Sequence, residues 1–191
     1  MARSVACVIL LVFATAAWGG RNLIINGNFA SGSVANTCNV YDLLPGSNIL
    51  TGWTVSVGSI DWEGPPPCGW VGPPGQQYSV DLVGQLCIGG IEQTIDTNPG
   101  SLYVLSFELA GNPGGNPPAI KPLTVTVDGK PHPLMFDTGG KDASNMGWRP
   151  VQAAFRASGS RTTISFVSDV SGFGGPCNAG AAIANVRVER L

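Results

Sequence analysis

Two tryptophans and two acids crowd one stretch of the chain. Trp62 and Trp70 flank or sit within residues 64–75 (GPPPCGWVGPPG), and Asp61 and Glu63 adjoin them. Asn112 and Asn116 lie in a second Gly/Pro/Asn segment, 111–118, and Trp148 follows Met146-Gly147. Polysaccharide binding needs flat aromatic faces against sugar C–H surfaces, with amides and carboxylates for the hydroxyls. Loops of this composition are where binding residues concentrate. Trp62, Trp70, Asp61, Asn112 and Trp148 therefore form the candidate ligand-binding set, with Trp70 the expected exposed wall. Trp148 is equally readable as packing.

Other chemistries fit less well. A glycosidase needs two carboxyls facing each other at a set separation. Asp61 and Glu63 can share a strand face, and Asp81 or Glu92 could join them. Twelve scattered acids make accidental pairs common, so no catalytic residue is assigned. The sole histidine, His132, lies between Pro131 and Pro133 on an expected edge, where a third group holds a general base poorly. Gly114-Gly115 lacks the strand-to-helix setting of a phosphate loop.

The elements that must position these residues are strands. With 27 glycines and 15 prolines the chain is punctuated every few residues, and no apolar stripe of helical period appears. Alternation of period two recurs instead. Trp53, Val55 and Val57 share a face, as do Tyr103, Leu105, Phe107 and Leu109. The same holds for Leu123, Val125 and Val127, for Val151, Ala153 and Phe155, for Ile164 and Phe166, and for Val186 and Val188. Each segment buries one side and wets the other, as antiparallel sheets do. Asp128-Gly129 is a tight-turn signal, and Pro131 and Pro133 assign the following strand to an edge. About 8–10 short strands with turns between them read as an all-β sandwich or barrel. Trp53 belongs to its core. Gln93, on the face of Ile91 and Ile95, is either a ligand amide or a buried amide satisfied by backbone.

The first 19 residues read as a signal peptide: Arg3, then the apolar stretch 5–17, then small residues. That stretch is shorter than the ~20 residues of a spanning helix, so no membrane association is expected after its removal. Residues 22–191 form one domain. Charged residues make up 12% of the chain against an ordinary ~25%, and the formal net charge is −2. No clustered basic patch supports nucleic-acid binding. Cys7 lies in the leader. Cys38, Cys68, Cys87 and Cys177 remain, an even number in an exported chain, which predicts two disulfides. Four cysteines allow three connectivities. The Asn36-Thr37-Cys38 sequence is only a weak glycosylation sequon.

An ordered set of segments carries a family resemblance. It comprises NLIINGNFASG (22–32), GWT (52–54), GSIDW (58–62), YSVDL (78–82), GIEQTI (90–95), YVLSFELAGNP (103–113), FDTGGK (136–141), MGW (146–148) and IANVRV (183–188). The set resembles the "choice-of-anchor C" family of exported bacterial proteins. It also resembles plant cell-wall proteins classed as a domain of unknown function. The resemblance implies a galactose-binding-like jelly roll, export to the cell wall or extracellular matrix, and no catalytic machinery. Related sandwiches often hold a structural calcium. Here Ala30 and Ala184-Asn185 stand where its acidic ligands would be, so no cofactor or metal is expected. In that fold the first and last strands pair antiparallel, which brings Cys38 toward Cys177 and leaves Cys68 with Cys87. The expectation is a secreted, non-catalytic module that binds polysaccharide or glycan, with other extracellular wall proteins as further partners. The alternatives are a structural or adhesive matrix protein working through protein contacts and, third, a polysaccharide hydrolase.

Overall fold

The computed structural model describes residues 20–34, 38–114, 119–173 and 177–191; the expected leader, Asn116 and the Asn36-Thr37 pair lie outside them. Eleven strands are present among the described residues, slightly more than expected. They are β1 Val40–Leu43, β2 Thr54–Gly58, β3 Ile60–Glu63, β4 Ser79–Asp81, β5 Ile88–Asp96, β6 Leu102–Gly111, β7 Ile120–Val127, β8 Lys130–Asp137, β9 Arg149–Arg156, β10 Arg161–Asp169 and β11 Ala181–Arg190. The additional strands are the short ones. β1 has four residues and β4 three, too few to show alternation.

The strands form two antiparallel sheets, in the orders β1-β3-β4-β11-β6-β9 and β2-β5-β10-β7-β8. The result is a jelly-roll sandwich. Helix among the described residues amounts to one turn, Ser171–Phe173. Alternation sets the faces. In β7, Lys121, Leu123, Val125 and Val127 are buried while the residues between them are half-exposed. Asp128 and Gly129 both take positive φ, 53° and 74°, as a two-residue hairpin turn from β7 into β8 requires. β8, with its two prolines, is the edge of its sheet. No helix among the described residues is long and apolar enough to cross a membrane.

Aromatic rings join the layers. Phe29 packs on Trp53 at 5.5 Å between centroids, and Trp53 on Phe166 at 6.1 Å. Phe166 of β10 then meets Phe107 of β6 edge-on at 5.1 Å, a contact made across the sandwich. Trp53 is in the core, as its alternation implied.

The segment before β1 closes one side. The Leu23 amide donates to the Val188 carbonyl, and the Val186 amide to the Gly27 carbonyl. A Cβ on Gly27 would stand 1.9 Å from the Val186 oxygen, so only glycine permits this approach. Gln93 holds the same segment from the other sheet. Its Oε1 accepts the Ile25 amide at 2.7 Å and its Nε2 donates to the Ile25 carbonyl at 3.0 Å. Gln93 is thus a buried amide satisfied by backbone.

The expected cysteine pairing is corrected: the bonds are Cys38–Cys68 and Cys87–Cys177. The first and last segments do run together, but the chain leaves that neighbourhood after Phe29. It passes the Gly32–Leu50 bridge and enters β1, which pairs with β3. Antiparallel pairing sets the start of β1 beside the end of β3, Val40 opposite Trp62, so Cys38 meets Cys68 in the loop after β3. Likewise Ile88 opens β5 opposite Asp169 at the end of β10, which brings Cys87 to Cys177.

Trp62 also departs from expectation. It shares the inward row with Val80 and Ile183, is 1% exposed, and donates its indole hydrogen to the Phe29 carbonyl at 2.8 Å. The reason is strand parity: Asp61 and Glu63 face outward, so Trp62 must face the core. Trp62→Ala should therefore cost about 3–5 kcal/mol in urea unfolding, as core aromatic truncations do. A variant of unchanged stability would return Trp62 to the surface. Peptide mapping of the unreduced protein is expected to recover Cys38–Cys68 and Cys87–Cys177 peptides; a Cys38–Cys177 peptide would refute the register described.

Candidate functional site

The outward face of the six-stranded sheet carries a row of acids. Asp61 of β3 lies opposite Asp81 of β4, which lies opposite Ala182 of β11. One step along, Glu63 lies opposite Ser79. Over this face the loop after β3 folds back, and a cleft of about 390 Å³ opens between that loop, β1 and the strand ends.

Asn39 builds one wall. Its Oδ1 accepts the Gly64 amide at 2.9 Å, and its Nδ2 donates to the Cys68 carbonyl at 3.0 Å and to the Tyr41 hydroxyl at 2.8 Å. The loop after β3 is thereby fixed to edge strand β1. Asp42 sits in β1 with φ 54°, and the β1–β3 register shifts there. Its amide donates to Asp61 Oδ1 at 2.8 Å, and its own Oδ1 accepts the Gln85 amide at 3.0 Å. Gly69 lines the cleft where a Cβ would stand 3.0 Å from Glu63 Oε2 and 2.5 Å from the Gly64 carbonyl, so glycine leaves room for the carboxyl.

Trp70 donates its indole hydrogen to Ser79 Oγ at 2.8 Å and is 6% exposed. It lines the cleft, but as a buried wall rather than the exposed platform expected, because its ring lies over the sheet. A second loop holds it down: the Val71 amide donates to the Ala143 carbonyl at 2.8 Å, and Trp148 Nε1 donates to the Val71 carbonyl at 2.8 Å. Trp148 is a bracket between two loops and is not among the cleft residues. Asn112 lines the cleft with both ends engaged, its Nδ2 on Asp81 and its Oδ1 on the Gly114 amide.

The site therefore brings together Asp61, Trp70 and Asn112 of the expected set and leaves out Trp62 and Trp148. It adds residues that sequence reasoning missed. Tyr41 is foremost, an aromatic at the cleft that is 60% exposed. Asn39, Gln85 and Asn178 supply amides. The signal for Tyr41 was slight: four residues of strand, their alternation broken at Asp42.

Burial dominates the electrostatics. It pushes the Asp61 carboxyl up to about 6, with the Asp42 amide pulling the other way. It pushes Asp81 up to about 7 against hydrogen bonds from Asn112, Val83 and Gly180. It pushes Glu63 up to about 8, helped by the charges of Asp81 and Asp61. Asp81 accepts three hydrogen bonds, whereas no hydrogen bond among the described residues engages the Glu63 carboxyl, which is 4% exposed and faces the cleft. Protonated Glu63 both donates and accepts, which suits a hydroxyl-bearing ligand.

A second cleft, about 410 Å³, lies along the same loop beside Asn28, Ala30, Gln76, Gln77 and Tyr78. Its described lining side chains are amides, a phenol and a methyl group. Among the described residues no three His, Cys, Asp or Glu side chains are grouped to hold a metal ion.

Raised carboxyl pKa values make stability depend on pH. These three carboxyls hold more protons in the folded chain than in the unfolded one between about pH 4 and pH 8, so their contribution to unfolding free energy falls as pH rises through that window. Urea midpoints should be lower at about pH 8.5 than at about pH 5, with a smaller drop for Glu63→Gln. Equal drops in both proteins would remove Glu63 from this account.

Solved structures share the architecture. A carbohydrate-binding module, TmCBM61, solved with beta-1,4-galactotriose, superposes with TM-score 0.54 at 15% identity, covering 90% of this chain and 99% of that one. A putative sugar binding protein from Bacteroides thetaiotaomicron gives 0.51 at 13% identity, covering 90% and 100%. At such identities the likeness speaks for the fold. No curated protein matches the chain in sequence. The profile of one family, described as "Protein of unknown function (DUF642)", matches residues 22–189. This fits the resemblance to proteins of a domain of unknown function; the name choice-of-anchor C is not the one matched. The chain belongs to the DUF642 family.

Proposed function

We propose that this chain is a secreted, non-catalytic carbohydrate-binding module acting on cell-wall or extracellular-matrix polysaccharide, and that it holds a sugar in the cleft between Tyr41 and Glu63. The observation that carries this reading is the pairing of an exposed aromatic ring with a buried, unengaged carboxyl in one cleft. The ring offers a face for sugar C–H groups. Glu63, Gln85 and Asn178 offer polar groups for hydroxyls. Two disulfides accord with an oxidising compartment.

The same cleft gives hydrolysis its one argument, three neighbouring carboxyls. Glycoside cleavage needs two of them free to reach the scissile bond. Asp81 is held by three donors and lies behind the cleft, and Asp61 has one oxygen held by the Asp42 amide, so among the described residues only Glu63 of the three has both oxygens unengaged. This favours binding without bond cleavage.

The fold-sharing module solved with beta-1,4-galactotriose suggests the first probe. Calorimetry with that trisaccharide, alongside a glycan array, should detect binding by the wild-type protein. Tyr41→Ala should weaken it about tenfold while leaving the thermal midpoint nearly unchanged, since the ring is at the surface. Absence of any glycan signal, or an undiminished signal in the Tyr41 variant, would defeat the proposed site.

A further inference from the structure

The cleft that holds the sugar in the reading above also has a charge character. Asp42 reaches it from β1, Asp61 and Glu63 from β3, and Asp81 lies behind them on β4. Among the described residues no Lys, Arg or His lines it. The nearby cation is internal: Lys121 of β7 is 2% exposed, donates to the Ala179 carbonyl at 3.0 Å, and interacts electrostatically with Asp81. Several donors at the cleft are already committed, and the side-chain amides left over, Gln85 and Asn178, are neutral and bring no positive charge to offset a ligand anion. Asn39 and Asn112 give their amide hydrogens to Tyr41, Cys68 and Asp81. The Asp42 and Gln85 amides are bonded to carboxylates.

Beside the Gln85 and Asn178 side-chain amides an acidic acceptor also remains open. Glu63 is more than nine-tenths buried, faces the cleft and has no hydrogen-bond partner among the described residues. A buried carboxyl left so is completed by a ligand that brings hydrogen-bond donors. A ligand that brings a second carboxylate sets like charges together in a partly desolvated space.

We infer that the cleft selects uncharged glycans and rejects chains of uronic acids, the discrimination being made by Asp61 and Glu63 rather than by sugar shape. This rests on the binding reading above, and it adds what that reading leaves open, the class of polysaccharide. The discrimination grows with pH. Protonated Asp61 and Glu63 tolerate a carboxylate neighbour. Once ionised, with Asp42 and Asp81 beside them and Lys121 turned to Ala179, they repel it.

The test pairs each neutral oligosaccharide with its uronate counterpart: galacto- with galacturono-, gluco- with glucurono-, and xylo-oligosaccharides with glucuronate-substituted ones. Affinities are measured by calorimetry on the full exported chain. At about pH 8.5 and low salt, uronate members should bind at least about tenfold more weakly than their neutral partners, the scale of one close like-charge pair near a surface. The gap should narrow at about pH 5, and also at about 0.5 M salt, where screening is short-ranged. Asp61→Asn and Glu63→Gln should each narrow it at pH 8.5. The salt and pH measurements on the wild-type chain decide the matter even if a variant fails to fold. Uronates bound as tightly as neutral glycans at pH 8.5, or a gap indifferent to pH and salt, would overturn the inference and leave the binding function standing. Failure of every member to bind would overturn both.

Discussion

A single fully buried carboxyl organises the end of the sandwich where the cleft opens. Asp81 accepts the Val83 and Gly180 amides at 3.0 Å each and the Asn112 side chain at 2.7 Å. Those donors come from the turn after β4, the entry to β11 and the exit of β6. An isolated buried carboxylate would be costly, and only convergence of several donors makes it tolerable. The same convergence keeps three chain segments in one relative position. Asp61 and Glu63, on the neighbouring strand, inherit both that position and the low-dielectric surroundings. Their unusual acidity follows from being carried into a site that Asp81 holds together.

The loops above the sheet are ordered by equally specific polar contacts. Trp70 is anchored to Ser79, and Trp148 to the Val71 carbonyl. Asn39 ties the loop after β3 back to β1 through the Gly64 amide and the Cys68 carbonyl. Two of the indoles that look like ligand platforms in the sequence thus act as fasteners. A tryptophan serves well in this role, since it fills volume and still offers one directed hydrogen bond.

Much of the fold was legible because it is written in local physics. Alternation marked the long strands, Asp128-Gly129 marked the hairpin, and Pro131 with Pro133 marked the edge. Trp53 was placed by its apolar neighbours, whereas Gln93 stood between two readings until its bonds to Ile25 decided for the buried amide. The site was less legible. Trp62 and Trp70 attracted attention by type, yet their exposure depends on strand parity and on a loop folding over the sheet. Tyr41 was hidden in a four-residue strand with a left-handed residue in its middle. The cysteine pairing needed the β1–β3 and β5–β10 registers, which no short window of sequence contains.

Cys68 lines the cleft, and Cys177 is followed directly by Asn178, which lines it too. One disulfide therefore lines the cleft and the other adjoins a residue that lines it. On the proposed reading, a chain of sugars would meet an opening whose two bounding cysteines are already fixed by covalent links, which lowers the ordering cost of binding there. Recognition there, on that reading, would depend on the two covalent links as well as on the side chains that line the cleft.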